Sequence, residues 1–320
     1  MPAVGVDVPP YAVLFPGQGS QAVGMGAELF DLRPDLLGNS ADEALGWSLR
    51  EMCLEGPEEA LTRTEHAQPA LYAVSYALWS QVREHLHGPP SAAAGHSLGE
   101  YTALAAAGCF DYLDGLRLVA ARGRAMAGAA DREASGMAAL IGADAASAEA
   151  LASYRRGEGG RLWVANLNAP GQVVVAGGAE DIDWTVTNAG EFGVRRALPL
   201  RVAGAFHSPY MDPAAEELAG AIAAIEMRPP EFPVWANVTA RPHGDDPAGM
   251  LVAQLTAAVR FAESLEGIAA TGVGLFLHVG PGDVTAGLAK RSVEGAEAFA
   301  VSSLDDLTAA ADLLAGPSVS

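Results

Sequence analysis

The sequence predicts an α/β protein built on a mainly parallel sheet, with a smaller ferredoxin-like unit inserted into it. Three observations carry that expectation. Apolar, strand-like runs alternate with helical patterns over most of the 320 residues, which is how parallel strands joined by crossover helices read. Two of the runs end in glycine-rich loops, at the strand termini where open α/β sheets place ligands. Between Gly136 and Leu200 the order becomes strand, helix, strand, strand, helix, strand, the ferredoxin-like unit. Residues 131–200 are therefore expected to form a small domain within a large one made of 1–130 and 201–320.

Taken in order, Tyr11-Ala12-Val13-Leu14-Phe15 reads as a buried strand that opens into Pro16-Gly17-Gln18-Gly19-Ser20-Gln21, where two glycines allow close backbone approach. Helical spacing runs from Glu58 to His87, with Leu71, Val74, Ala77 and Leu78 on one face and a break expected at Gln68-Pro69. Ser91 to Ala94 is strand-like, and the helix-forming run after it stops at Gly108. Asp111 can cap a helix reaching about Met126, with Leu116, Val119 and Ala120 turned inward. In the small unit, strands are expected over 136–141, 161–166, 172–176 and 194–198, and helices over 145–153 and 181–189. The glycine-rich run after Arg155-Arg156 opens no helix, so it reads as a surface connection and not a phosphate loop. Asp212-Pro213 starts a helix to about Ile225, which Pro229-Pro230 ends. Val234-Trp235-Ala236, helices over 247–258 and 261–270, and an apolar strand over 274–279 follow, the strand ending in Gly280-Pro281-Gly282. A last helix, strand and helix close near Leu314, and 315–320 are expected to fray.

Composition narrows the function. Half the residues are hydrophobic, and the formal net charge of -20 disfavours nucleic acid, whose phosphates need clustered Lys and Arg. Lys290 is the only lysine. Cys53 and Cys109 lie far apart in expected helical surroundings, which suits a reducing compartment better than a disulfide framework. Met1 to Pro10 lacks the basic and apolar regions of a secretory signal, and no uncharged apolar run reaches membrane-spanning length. A cytoplasmic protein without a membrane partner is expected.

The chemistry concentrates at Gly95-His96-Ser97-Leu98-Gly99-Glu100, between a strand and a helix. Gly-x-Ser-x-Gly in that setting is a nucleophile elbow: the turn is too tight for flanking side chains, and it lifts the serine hydroxyl toward the N–H groups of the helix start. Ser97 then needs a base. Of the histidines, His85 and His87 sit at an exposed helix end, His66 at a helix start, His243 in a polar loop, and His278 in an apolar strand as a core residue. His207 follows Ala203-Gly204-Ala205-Phe206 and precedes Ser208-Pro209, a rigid loop suited to a catalytic group. His96 points to the other side of the elbow and reads as a pocket residue. No two histidines or cysteines have ligand spacing, so no metal is expected.

Six motifs, Phe15-Pro16-Gly17-Gln18-Gly19-Ser20-Gln21, Gly95 to Glu100, Arg122-Gly123-Arg124-Ala125-Met126, Asn168-Ala169-Pro170-Gly171-Gln172-Val173-Val174, Gly204-Ala205-Phe206-His207-Ser208 and Val279-Gly280-Pro281-Gly282, occur in an order and spacing that resemble the malonyl-CoA:acyl carrier protein transacylases and the acyltransferase domains of polyketide synthases. The resemblance implies an α/β-hydrolase-like large domain carrying the ferredoxin-like insert, with the active site between them. It implies that Ser97 takes an acyl group from coenzyme A, that His207 is its base, and that Leu98, through its N–H, and Gln18 form the oxyanion hole. Arg122 would hold a malonyl carboxylate, for which its planar fork is suited, and His96, Asn166 and Gln68 would line the pocket. A glutamine is common in the family where this chain has Arg260; its backbone carbonyl orients the histidine, and the resemblance leaves that role with Arg260.

Malonyl-CoA is then the expected substrate, with no bound cofactor, and a phosphopantetheinylated acyl carrier protein the expected partner of a monomeric enzyme. Phe206 in Gly-Ala-Phe-His resembles the malonyl-selective form of the loop and would crowd a branched acyl group. Because carrier proteins are acidic and this chain is too, a local basic patch is expected, with Arg195, Arg196, Arg201, Lys290 and Arg291 as its members. Fatty-acid and polyketide synthesis are both open as the pathway served. The competing readings are a hydrolase that clears acyl groups from carriers, a transferase of an unusual acyl group between carriers, and a carrier-binding scaffold without activity.

Overall fold

A computed structural model describes residues 9–86 and 88–310. Ten strands occur in it: β1 (Tyr11–Phe15), β2 (Ala92–Gly95), β3 (Ser135–Ile141), β4 (Leu162–Ala169), β5 (Gln172–Gly178), β6 (Arg196–Pro199), β7 (Val234–Ala236), β8 (Arg241–Pro242), β9 (Leu275–Val279) and β10 (Glu297–Val301). They form a six-stranded sheet in the order β10-β9-β1-β2-β7-β8 and a four-stranded sheet in the order β4-β5-β3-β6. Every pair in the first is parallel except the β7–β8 hairpin, and every pair in the second is antiparallel. The fold is therefore α/β, with one mixed and one antiparallel sheet.

Burial on both faces explains the unbroken apolar run of β1. Val13 and Phe15 face one core and Ala12 and Leu14 another, as side chains alternating along a central parallel strand must. The first core continues without a break into the second sheet, taking in Met137, Ala165, Val174 and Ala176. A third cluster joins Ala138, Leu140 and Val175 to Leu151 and Ile182 of the helices Ala145–Gly157 and Ala179–Asn188. The site is assembled by two details of register. Phe15 pairs with Gly95, so β1 and β2 end side by side and their glycine-rich turns adjoin. The register of β4 shifts on both sides of Asn166, and such bulges re-aim side chains; the same stretch is tied to the neighbouring segment by Leu167 N–H to the Val259 carbonyl at 2.8 Å.

Several boundaries differ from the sequence expectation. The break near the start of the long helix falls at Arg63, between helices Glu58–Thr62 and Thr64–Glu84, and Pro69 lies inside the second. So close to a helix start, a proline removes only the bond to the Glu65 carbonyl in the first turn, which the buried face beyond outweighs. Helix Tyr112–Ala130 runs past Met126, and Pro247–Gln254 stops short of 258. Cys109 lies beyond the end of helix Leu98–Ala106, not in a helix, and both cysteines are buried and unpaired. No helix among the described residues is long and apolar enough to cross a membrane. The expectations for His87, for 1–8, and for the chain end at Leu314 and 315–320 fall outside the described residues.

Candidate active site

β2 ends at Gly95, and Ser97 stands at φ 51° and ψ -102° as the residue before helix Leu98–Ala106. A non-glycine residue held there costs on the order of 1–3 kcal/mol and persists only where its surroundings enforce it. They do so here by exclusion: a Cβ on Gly95 would overlap the Gly99 backbone, and one on Gly99 would strike the carbonyl of Phe15. They also do so by hydrogen bonds on both sides of the serine. Its N–H donates to Asn237 Oδ1 at 2.8 Å, and its carbonyl accepts from Gln254 Nε2 at 3.0 Å.

The hydroxyl so placed meets two partners. Ser97 Oγ lies 2.7 Å from His207 Nε2 and accepts from Arg122 Nη2 at 3.0 Å. His207 is itself at a positive φ of 58°, and its Nδ1 donates to the Gln254 carbonyl at 2.8 Å. That bond puts the ring proton on Nδ1 and leaves the Nε2 lone pair facing the serine, the tautomer a base requires. Burial, and after it the positive charge of Arg122, push the His207 pKa down to about 3, so the imidazole is neutral near pH 7.

The carbonyl that orients His207 belongs to Gln254 and not to Arg260. Gln254 is the last residue of its helix, where a carbonyl has no intrahelical partner and is free to accept. The Arg260 guanidinium instead pairs with Glu263 and reaches the Val238 and Thr239 carbonyls at 3.5 and 3.4 Å.

Arg122 projects from helix Tyr112–Ala130 and is 1% exposed. Its partners are Gln68 Oε1 at 2.6 Å, Gln254 Oε1 at 2.9 Å and Ser97 Oγ, with the Tyr101 ring 5.1 Å away under the guanidinium. Among the described residues no carboxylate pairs with it, and its Nε has no partner. Burial lowers its pKa from the usual arginine value. Its hydrogen bonds go to neutral oxygens, with the Glu100 carboxylate one residue further off behind Gln254, so an anion in direct contact would stabilise this buried cation further.

These groups open into a cleft of about 320 Å³ between the two sheets, lined by Gln18, Gln68, His96, Leu98, Asn166 and Phe206 among others. Each sequence-expected pocket residue is thus on its wall. Leu98 is the first residue of its helix, so its N–H has no intrahelical acceptor and is available to an oxyanion. Gln18 differs from the simplest expectation, because its side chain donates to Thr64 Oγ1 at 3.2 Å; its main-chain N–H is what it can offer. His96 turns away from Ser97 and bonds Asn168 Oδ1 at 2.7 Å, its pKa lowered by burial.

Of the five basic residues expected to meet a carrier, all are exposed, and Arg201 alone lines the cleft, beside Leu200 and near Val284 of helix Val284–Ser292. His278 is a core histidine, bonded to Thr285 Oγ1 at 2.6 Å. His243 is not solvated: its side chain is buried against Glu100. The reading of the sequence missed Asn237 and Gln254. Their only local signal is a lone amide in a short apolar strand end and in an apolar helix.

A family model described as "Acyl transferase domain" matches residues 12–304. A malonyl CoA-acyl carrier protein transacylase of Bacillus subtilis is 41% identical over 296 residues, covering 91% of this chain and 93% of that protein. The fold matches the malonyl CoA-acyl carrier protein transacylase of Coxiella burnetii with a TM-score of 0.91 and 34% identity, over 96% of this chain and 98% of the other. It also matches a malonyl-transacylase solved in complex with a type II PKS acyl-carrier protein, with a TM-score of 0.89 and 39% identity over 95% and 99% of the two chains. Matched along nearly its whole length by the domain model and by these relatives, the chain belongs to the family of malonyl CoA-acyl carrier protein transacylases.

Proposed function

We propose that this protein is a malonyl-CoA:acyl carrier protein S-malonyltransferase, working in fatty-acid or polyketide synthesis as its relatives do. The observation that carries the choice of acyl group is Arg122, a buried guanidinium that touches Ser97 Oγ and has no acid to pair with among the described residues. A malonyl group esterified to Ser97 would bring its free carboxylate to that cation, and the fork would bind it in two places.

The steps follow from the geometry. His207 Nε2 takes the Ser97 proton as Oγ attacks the thioester carbonyl, and the oxyanion is met by the N–H groups of Leu98 and Gln18. Collapse breaks the C–S bond, His207 returns the proton to the departing coenzyme A sulfur, and the malonyl ester remains on Ser97. The phosphopantetheine thiol of the carrier then gives its proton to His207 and attacks the ester. The second collapse breaks the C–O bond and returns the proton to Ser97. The scheme is ping-pong, with malonyl-CoA and carrier using one cleft in turn. Gln68, His96, Asn166 and Phe206 shape the acyl end of that cleft.

The carrier is proposed to dock over the cleft mouth, where Arg201 and the exposed Leu200 and Val284 adjoin, with Arg195, Arg196, Lys290 and Arg291 as further basic contacts. The domain reading proposed for the chain is an α/β-hydrolase-like unit of 1–130 and 201–320 and a ferredoxin-like unit of 131–200. The elbow on a mainly parallel sheet supports the first, and the β4-β5-β3-β6 order with antiparallel pairing throughout supports the second.

The test is carrier loading from malonyl-, methylmalonyl- and acetyl-CoA by the wild type and by Arg122→Ala. Malonyl should be preferred over acetyl by about 100-fold in kcat/KM, the worth of charge-assisted hydrogen bonds of about 3 kcal/mol. Arg122→Ala should erase that preference. Crowding by Phe206 should disfavour methylmalonyl by about 10- to 200-fold, the range for a single methyl group. Equal use of acetyl and malonyl by the wild type would refute the assignment, and loss of the acyl group to water faster than to the carrier would make the protein a hydrolase.

A further inference from the structure

Glu100 takes no part in the steps above, yet its carboxylate is fully buried directly behind the nucleophile turn. Oε2 accepts from Gln254 Nε2 at 2.6 Å and from the Asn237 N–H at 3.0 Å, and Oε1 accepts from His243 Nε2 at 2.8 Å. Gln254 and Asn237 are the two residues that grip the Ser97 peptide groups, and Gln254 also holds Arg122 and His207. One carboxylate therefore anchors both residues that hold the Ser97 peptide groups.

His243 completes that anchor from the far side. The β7–β8 hairpin brings it there, with its N–H bonded to the Val234 carbonyl at 2.7 Å, and its side chain is 1% exposed. Its Nδ1 has no partner among the described residues, which fits a ring committed to Glu100 through an Nε2–H, with a bare lone pair on the other nitrogen. The other two donors to Glu100 both reach Oε2, so His243 is the one residue among the described ones that holds Oε1 of this buried carboxylate.

We propose that His243 is a positioning residue for acyl transfer. By holding Glu100 it fixes Gln254 and Asn237, and through them the orientation of Ser97, His207 and Arg122. Without it Oε1 loses its donor, and the carboxylate is free to rotate and shift the Gln254 amide bonded to Oε2. The proposal rests on Ser97 being the nucleophile, but not on which acyl group it carries.

The experiment is the second-order rate at which an alkyl fluorophosphonate labels Ser97, followed by intact mass, in the wild type, Ser97→Ala, His243→Gln, His243→Asn and His243→Leu, with melting temperatures recorded for each. Glutamine can set its amide nitrogen where Nε2 stands, whereas asparagine reaches only the Nδ1 position. His243→Gln should keep the rate within about threefold, and Asn and Leu should slow it by about 10- to 100-fold at temperatures where every variant is folded, since a displacement near 1 Å costs on that order. A merely structural histidine would lower the melting temperature and leave the rate of the folded enzyme alone. Equal rates in all variants, or a Gln variant as slow as Leu, would overturn the proposal; if His243→Leu does not fold, the Gln and Asn pair decides. A wild type that takes no label, or labelling that survives Ser97→Ala, would bring down the nucleophile assignment itself, a separate and recognisable result.

Discussion

At Ser97 the backbone is held where serine is disfavoured so that its hydroxyl can meet a lone pair on one side and a guanidinium on the other. The base it meets is unusual in being both deeply buried and beside a cation, and both depress its pKa, to about 3. The free enzyme should therefore keep its base form on acidification. Fluorophosphonate labelling of Ser97 should change little from about pH 7.5 down to about pH 5, with the acid limb well below the ordinary histidine value. Arg122→Ala removes one of the two leading causes and should move that limb upward; a wild-type limb at the ordinary value would contradict the account of His207. The sequence alone singled out Ser97 at its elbow and His207 as the favoured candidate among the histidines, because each sits in a local pattern with a rigid turn. Arg122 by itself reads as one more helix arginine, and only the resemblance singled it out. Gln254 and Asn237 could not be read at all, since their roles come from bonds spanning 157 and 140 residues.

The elbow is an element whose glycines are required by contact and whose serine is tolerated under strain. Replacing the nucleophile separates the two. Ser97→Ala and Ser97→Gly both lose the hydroxyl and all transfer activity, but glycine accepts a positive φ that alanine resists. The glycine variant should be more stable than the alanine variant by about 1 kcal/mol, measured by urea denaturation; an alanine variant equal or higher in stability would mean that the turn is not strained. Elements of this kind were legible because period and punctuation agree: β1, β2, β7 and β9 fall within a residue or two of expectation. The expected break at Pro69 failed because proline near a helix start costs one bond, while the buried face that follows it, Leu71, Val74, Ala77 and Leu78, holds the helix together.

For the whole molecule, the two sheets share one continuous core, and the reacting groups lie where that core opens into the cleft. The strand, helix, strand, strand, helix, strand order of the smaller sheet was legible in the sequence. Which face it would turn to the elbow was not, because that depends on the bulges of β4 and on the link from Leu167 to Val259. The strong acidity of the chain, -20 overall, sets long-range repulsion against an acidic carrier, so the docking proposed at the cleft mouth rests on local contacts. All of this converges on a covalent malonyl-Ser97 intermediate that the carrier discharges. The direct measurement is intact-protein mass after brief exposure to malonyl-CoA, repeated with Ser97→Ala and again after adding a phosphopantetheinylated carrier. The account predicts one malonyl adduct, absent from the variant and passed to the carrier with the same gain in mass; no adduct, or one that disappears without appearing on the carrier, would contradict it.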